Sequence, residues 1–389
     1  MRARLGLLAL ASSIALACSA ADRSSPPAPP ANAGPDAGAP SADASAPATG
    51  LRVTVSGEAF ARTGFDFVPG VSLAYGDVPA FVDGWAIRFE HVIVTVAGVR
   101  LSAEPDRDPS DPTRTGALVA EDSGAYAVDV VKGGDVPGKS GSPDERAVVV
   151  TTLHPPPTQA RGERYAFGFD LVPASASAKR VNLDAEAAAL YDAAVAKGYA
   201  AIYVGTATYR GAAPEPGSVF ARMPTVVRFS LGLANATSYL NCENSDLPRE
   251  GRRRQRGVPV PAGETATAQI TLHTDHLFVT ALHSESAALA FDALAANASA
   301  PASGAPASVT IDDLAKVDIT KVTTRAGEPL PRRSLVSDFA ASGEQVRYDP
   351  GATPLPSHPS FAGYLAAAAQ SAAHLNEAGA CEARPLSAK

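Results

Sequence analysis

The segment His273-Thr274-Asp275-His276 carries two imidazoles and a carboxylate in four consecutive residues. It ends an alternating run that predicts a strand, and because side chains alternate along a strand, His273 and Asp275 share a face while the chain is extended. A turn at Asp275 would bring His276 round to the same side. Two His and one carboxylate can hold Zn, Cu, Fe or Ni and can leave a coordination position open. The segment therefore predicts a transition-metal site, with Zn or Cu as the metal.

Two cysteines and a distant histidine extend this hypothesis. Cys242 and Cys381 lie outside the N-terminal segment, and an even pair in an exported protein predicts a disulfide. The bridge would close a loop of 139 residues and stabilise the fold by about 4–5 kcal/mol. It would also bring His374 close to the strand, so His374 joins His273, Asp275 and His276 as a predicted ligand. The alternatives are two free thiols, and a His/Asp cluster that only hydrogen-bonds within itself and to the backbone.

The first residues have the layout of an export signal. Arg2 and Arg4 precede the apolar run Leu5–Leu16, and Ala15-Leu16-Ala17 leads directly into Cys18. This order resembles a bacterial lipoprotein signal with its lipobox, although such boxes prefer Leu where Ala15 stands. The resemblance implies cleavage before Cys18, acylation of its thiol by palmitate-type chains, and a membrane-anchored protein at the outer membrane or the periplasmic face. The alternative is an ordinary secretory signal with a chance Cys.

After the signal segment, the amino-acid composition separates a stretch poor in large apolar residues from a long globular part. Residues 18–50 are Ala, Pro, Ser and Gly with almost no large apolar side chain, so nothing there offsets the entropy cost of ordering. We therefore predict a signal peptide over 1–17, a disordered tether over 18–50 and a β-rich globular domain over 51–389, with a subdivision near 234 left open. The formal charge of −7 argues against nucleic acid as a partner.

Hydrophobic alternation and β-branched runs favour strands over most of the globular domain. A change of parity near His91 predicts a bulge. The predicted strands are Leu51–Val55, Trp85–Phe89, Val92–Val96, Tyr126–Val131, Ala147–Leu153, Tyr165–Val172, Tyr199–Tyr209, Val226–Leu233 and Thr267–His273. Capping signals predict three helices, which start at Asp184, Ser284 and Ser360 and run to about Lys197, Leu294 and His374. The predicted fold class is mainly β (α+β), an antiparallel β-sandwich or barrel-like domain with about three peripheral helices.

Two conspicuous motifs are assigned to loops. Gly133–Ser140 fits the nucleotide-binding pattern G-x-x-x-x-G-K-[ST], but that chemistry needs a helix to begin at Lys139. Pro143 opposes a helix there, so we predict a Gly/Pro hairpin loop and no nucleotide.

The basic run Arg252–Arg256 is predicted to be a solvated loop, with contact to anionic lipid or an acidic partner as the alternative.

The region around the His/Asp segment resembles a group of uncharacterised bacterial lipoproteins. In that group an H-x-D-H-L-F run, here His273–Phe278, leads into an EF-hand-like helix, acidic loop and second helix. The resemblance implies secretion, is compatible with cation binding and implies no established activity. This chain departs from it in Asn297–Gly304, which has no carboxylate, so we expect no calcium site in that loop. Thr310 is predicted to cap a short helix instead.

Two functions stay open at this point. The first is a lipid-anchored binding or structural module of the cell envelope, with unknown ligand and a transition metal at His273, Asp275 and His276. The second is a metal-dependent envelope enzyme, a hydrolase, that uses the same residues with an open coordination position. An enzyme needs a base or nucleophile beside the metal and a concave cleft, and no catalytic pair can be chosen from the sequence.

Overall fold

The computed structural model describes residues 49–67, 81–158, 162–234, 236–250, 253–278, 289–300, 304–323 and 360–386. Strands dominate this part of the chain. They are β1 (Gly50–Ser56), β2 (Trp85–Ser102), β3 (Leu118–Asp129), β4 (Val136–Pro137), β5 (Arg146–Leu153), β6 (Ala166–Leu171), β7 (Lys179–Arg180), β8 (Ala201–Tyr209), β9 (Val226–Leu233), β10 (Thr237–Leu240), β11 (Arg249–Glu250), β12 (Arg253–Arg254), β13 (Thr265–Leu272), β14 (Ala307–Thr310), β15 (Ala373–Leu375) and β16 (Glu382–Pro385). The helices are α1 (Glu58–Thr63), α2 (Ala185–Lys197), α3 (Asp292–Ala295), α4 (Ile311–Leu314) and α5 (Phe361–Ala369).

Two large sheets carry the fold. One has five strands in the order β15-β13-β1-β5-β4, and the other has nine, with the path β14-β9-β8-β2-β6-β10-β16 and β3 and β7 branching from β2. A single cluster of buried apolar side chains includes residues of both sheets. The prediction of a mainly β, α+β fold is confirmed. The sheets are mixed rather than purely antiparallel, because β1–β13, β9–β14 and β3–β7 are parallel pairs, and in the described residues neither sheet closes into a barrel.

Strand β1 is more deeply buried than its alternating sequence predicts. Leu51, Val53 and Val55 are fully buried on one face, and Thr54 and Ser56 are buried on the other. The reason is its position, since β1 lies between β13 and β5 in the middle of its sheet. The polar face of β1 is therefore interior, and it points toward a polar region of the protein.

The long strand β2 shows the predicted bulge. Its pairing with β8 shifts register between Phe89 and His91. Beyond the bulge, His91 Nδ1 lies 2.7 Å from the buried Asp129 carboxylate. The carboxylate also accepts hydrogen bonds from the backbone N–H groups of Val92 and Val131, so the pair stabilises the bend between β2 and β3.

The helix predictions have different outcomes. Helix α2 begins after Asp184, whose side chain accepts from the Ala187 N–H, and it ends at Gly198 in the left-handed region. Ser360 caps α5 as predicted, but α5 ends at Ala369 and His374 lies on β15, so the predicted extent to His374 is wrong. The predicted start at Ser284 lies outside the described residues.

The second predicted helix, which carries Leu289 and Leu294, is short in the part that the structure describes. Only Asp292–Ala295 is helical, and Leu289 forms a β-bridge with Phe81 instead. The downstream helix α4 begins after Thr310, whose hydroxyl accepts from the Asp313 N–H while the Asp313 carboxylate accepts from the Thr310 N–H. The predicted cap at Thr310 is confirmed.

Candidate metal site

The His/Asp segment lies where two parallel strands end. Strands β1 and β13 run side by side, and Ser56 is paired with Thr271 in the last register position. Two residues further along each chain stand Glu58 and His273. The carboxyl ends of adjacent parallel strands are a common place for binding sites, because the chains leave the sheet there and open a crevice. The parallel pairing thus brings a carboxylate to the end of the strand that carries His273.

A 3₁₀ turn gathers the ligand atoms. The chain turns at Thr274–Phe278 instead of continuing as a strand, and the His276 N–H donates to the His273 carbonyl at 3.4 Å. Side chains three residues apart overlie one another in a 3₁₀ turn, and the rings of His273 and His276 stack with centroids 5.1 Å apart. One potential ligand atom from each of His273, Asp275 and His276 lies within 4.8 Å of the other two. The predicted turn is confirmed, and the three residues could hold a metal.

Strand β15 brings the fourth predicted ligand to the same place. His374 is paired with Thr271 across the antiparallel β13–β15 ladder. Its ring centroid lies 4.3 Å from that of His273 and 5.5 Å from that of His276. The structure therefore brings all three histidines together, while direct ligation by His374 stays a prediction.

Hydrogen bonds fix which nitrogen of each ring carries the proton. His273 Nε2 lies 2.7 Å from the Glu377 carbonyl oxygen. A carbonyl only accepts, so Nε2 is the donor and Nδ1 carries the lone pair of the neutral ring. The Ser371 hydroxyl donates to the Ala368 carbonyl at 2.8 Å, so it accepts from His276 Nδ1 at 3.0 Å. The lone pair of His276 is then on Nε2.

The ring of His374 follows the same rule. Its Nε2 donates to the Ser371 carbonyl oxygen at 3.1 Å, which leaves the lone pair on the buried Nδ1. Each ring is thus held by a carbonyl or hydroxyl oxygen on one nitrogen, with the lone pair on the other. Metal-binding histidines characteristically have this arrangement, because the outer hydrogen bond sets the tautomer and the ring orientation.

Carboxylates surround the histidines. Glu58 Oε2 lies 3.4 Å from His273 Nδ1, and the two side chains are only 15% and 16% exposed. Burial raises the pKa of Glu58, the nearby His273 lowers it and the Asp275 carboxylate raises it, and the net result is a pKa of about 7. For His273, burial opposes the charged form, but the carboxylates of Glu58 and Asp275 outweigh it and the pKa is raised. Burial and the charge of Asp275 likewise raise the pKa of the buried Tyr203 on β8. The site concentrates negative charge in a poorly solvated space.

The predicted disulfide is present and supports the site. Cys242 and Cys381 are bonded, and the residues before Cys381 form a tight hairpin in which Leu375 and Gly379 exchange backbone hydrogen bonds. A Cβ at Gly379 would lie 2.0 Å from the Glu243 carbonyl oxygen, so the hairpin packs directly on the segment that follows Cys242. This hairpin presents the Glu377 carbonyl to His273.

The two motifs assigned to loops have different outcomes in the part of the chain that the structure describes. No helix begins at Lys139, whose amino group pairs instead with Asp246 at 2.5 Å, so the predicted hairpin loop is confirmed. In the basic run, Arg254 is half-buried and Arg256 is buried. The prediction of a solvated loop is therefore wrong for Arg256, which pairs with Glu382.

Some predicted features cannot be placed. Cys18 and the signal and tether residues 1–48 lie outside the described residues, as does His283. The EF-hand-like region is described only in part, with α3 and α4 on either side of a β-bridge between Ser299 and Ser308. In the described residues, no helix is both long enough and apolar enough to cross a membrane.

Glu58 and Ser371 are the residues near the site that sequence reasoning missed. Neither has a motif around it, and each reaches the histidines through pairing of distant segments. The signal that remains is positional, since Glu58 directly follows a predicted strand. Comparison of the chain with protein-family models, with curated proteins and with solved structures gives no match.

Proposed function

We propose that this protein is a lipid-anchored binding protein of the cell envelope that holds a transition metal, Zn or Cu, through His273, Asp275 and His276. One observation carries the proposal: a ligand atom from each of these side chains lies within 4.8 Å of the other two. Imidazole nitrogen suits Zn and Cu, whereas Ca and Mg prefer all-oxygen sites. The donor set therefore selects against the abundant alkaline-earth cations.

The hydrogen bonds around the rings support the same function. The Glu377 carbonyl and the Ser371 hydroxyl hold His273 and His276 before any metal arrives. A ring already held in the binding tautomer loses less conformational entropy when it takes a metal. The carboxylate of Asp275 adds a negative charge that offsets that of the cation.

Metal binding is tested by changing both histidines to alanine. We expect the wild-type protein to bind about one equivalent of Zn or Cu in a calorimetric titration, and His273→Ala/His276→Ala to bind none at the same concentrations, because a site with one remaining donor loses its chelate. The control is His154→Ala, which removes an exposed histidine that follows β5 and lies against the backbone of Thr49, and it should bind like the wild type. A wild-type protein that neither binds nor is thermally stabilised by Zn or Cu would refute the proposal.

The same titration of His374→Ala decides whether His374 is a ligand.

The lipid anchor has an independent test. Cys18 follows an apolar run and a small-x-small sequence, and several acyl chains on one residue hold a protein stably at a membrane, at about 0.8 kcal/mol per buried CH₂. We expect the protein to partition into the detergent phase of Triton X-114 and to incorporate labelled palmitate, and Cys18→Ser to do neither. Equal partitioning of the two proteins would contradict the anchor and would leave the metal proposal unaffected.

A further inference from the structure

Glu58, which lies beside the proposed metal site, has an unusual backbone conformation. It is the first residue of α1 and has φ of +59°, a conformation that costs free energy for any residue other than glycine. Its N–H donates to Ser56 Oγ at 3.1 Å, which ties the turn to the end of β1. The result is a carboxylate held at the end of β1, directly beside the end of β13.

The distance between Glu58 and His273 is the distance between two ligands of one metal. Glu58 Oε2 lies 3.4 Å from His273 Nδ1, and Nδ1 is the nitrogen that carries the lone pair. In a tetrahedral site with bonds of about 2.0–2.1 Å, neighbouring ligand atoms are about 3.3 Å apart. The Glu58 oxygen is therefore at ligand-to-ligand distance from His273 Nδ1. The atoms that all lie within 4.8 Å of one another belong to His273, Asp275 and His276, so a metal bound by all four side chains requires Glu58 to move towards the other two.

The negative charges at and around Glu58 favour the binding of a cation. The side chain of Glu58 is 15% exposed and lies beside the His/Asp segment. Among the described residues, the basic group within 4.0 Å of its carboxylate is His273, whose lone pair the metal would use. A buried charge without a counter-charge is strongly unfavourable. A divalent cation bound to two carboxylates, those of Glu58 and Asp275, and to two neutral imidazoles would leave the site with no net charge.

We propose that the Glu58 carboxylate is a direct metal ligand, so that the site consists of His273, His276, Asp275 and Glu58. This inference rests on the proposed function, since it completes the coordination of the same metal. It also gives a role to the parallel pairing of β1 with β13, which brings together Glu58 and His273 from positions 215 residues apart in the sequence.

The test uses Glu58→Gln, which keeps the shape of the side chain and removes its charge. Loss of an outer hydrogen-bonding partner typically weakens metal binding by about 10–100-fold, so we expect loss of a ligand to raise the Zn dissociation constant by about 100-fold or more. We also expect the visible absorption spectrum of the Co(II)-loaded protein to change, because it reports the ligands themselves. Without metal, Glu58→Gln should melt no lower than the wild type, since a crowded buried carboxylate has been removed. Glu121→Gln, an exposed change on β3, is the matched control.

The outcomes separate this inference from the proposed function. If the wild type binds no metal, the proposed function itself is wrong. If the wild type binds Zn and Glu58→Gln has the same dissociation constant, the site exists and Glu58 is not a ligand. The same conclusion follows if Glu58→Gln binds Zn more weakly but its Co(II) spectrum is unchanged. If Glu58→Gln does not fold, X-ray absorption of the Zn-loaded wild type decides, because two nitrogen and two carboxylate ligands support the inference and a shell with one carboxylate overturns it.

Discussion

Changing Cys242 and Cys381 together to alanine is expected to lower the free energy of unfolding of the metal-free protein by about 4–5 kcal/mol, because the bond closes a loop of 139 residues and removes that much entropy from the unfolded chain. The same change should weaken Zn binding. Cys381 anchors the hairpin that holds the Glu377 carbonyl on His273 Nε2, so a mobile hairpin releases the ring from its binding tautomer. Denaturant unfolding and calorimetric Zn titration measure the two effects.

Reduction of the wild type provides the control for this double change. Protein treated with dithiothreitol in the absence of metal should unfold at the same denaturant concentration as the alanine variant. If the alanine variant unfolds at the wild-type midpoint, the bond does not stabilise the fold. If it is destabilised but binds Zn with wild-type affinity, the hairpin does not position His273.

The second large effect is expected at Arg256. Its guanidinium lies 2.9 Å from Glu382 Oε1 and 3.9 Å from Glu243 Oε1, and all three side chains are at most 10% exposed. Arg256→Met removes the positive charge that lies beside these two buried carboxylates. Breaking a buried pair in this way costs about 3–5 kcal/mol, and we expect a loss of that size in denaturant unfolding.

Two further variants test whether uncompensated charge causes the loss of stability in Arg256→Met. Arg222→Met changes an exposed arginine and should alter the unfolding free energy by less than about 0.5 kcal/mol. The triple change Arg256→Met, Glu382→Leu and Glu243→Gln removes the charges together and should recover most of the loss, because an apolar replacement of a whole buried ion cluster is often neutral. A triple variant as unstable as Arg256→Met would show that lost packing or backbone contacts, rather than uncompensated charge, cause the effect.

The parts of the fold that follow from local sequence were predictable. Strands such as β9 and β13 alternate or are rich in β-branched residues, and their period is visible within a few residues. Helix α2 has its own start and stop signals in Asp184 and Gly198. The disulfide followed from the count of cysteines in a chain with an export signal, and the turn that gathers His273, Asp275 and His276 is contained within six residues, 273–278.

What the sequence could not show is pairing over long distances. The parallel register of β1 with β13 joins segments that are more than 200 residues apart in the sequence, and no local pattern encodes it. The end of α5 was missed for a related reason: residues 366–373 are mostly alanine, which suits a helix, but pairing of His374 with Thr271 takes the end of that segment into the sheet. Tertiary context overrides local propensity there.

The same limit explains the site. The ligands within one short segment were visible as a spacing pattern, whereas Glu58 is a lone glutamate after a strand. Its approach to His273 depends on the register of β1 and β13 and on the positive φ at Glu58. Neither can be read from residue types, since a non-glycine residue in that conformation is uncommon.

The central position of β1 has a mechanical consequence. In the proposed anchored state, tension directed along β1 from Gly50 would load this strand first. The hydrogen bonds to β13 and β5 lie across the axis of β1, so such a load is a shear that both ladders resist at once, rather than a peeling force that breaks bonds one after another. Glu58 follows the far end of this strand of seven residues, roughly 20 Å from Gly50. The residues around His273 therefore lie at the opposite end of β1 from the point where the load enters.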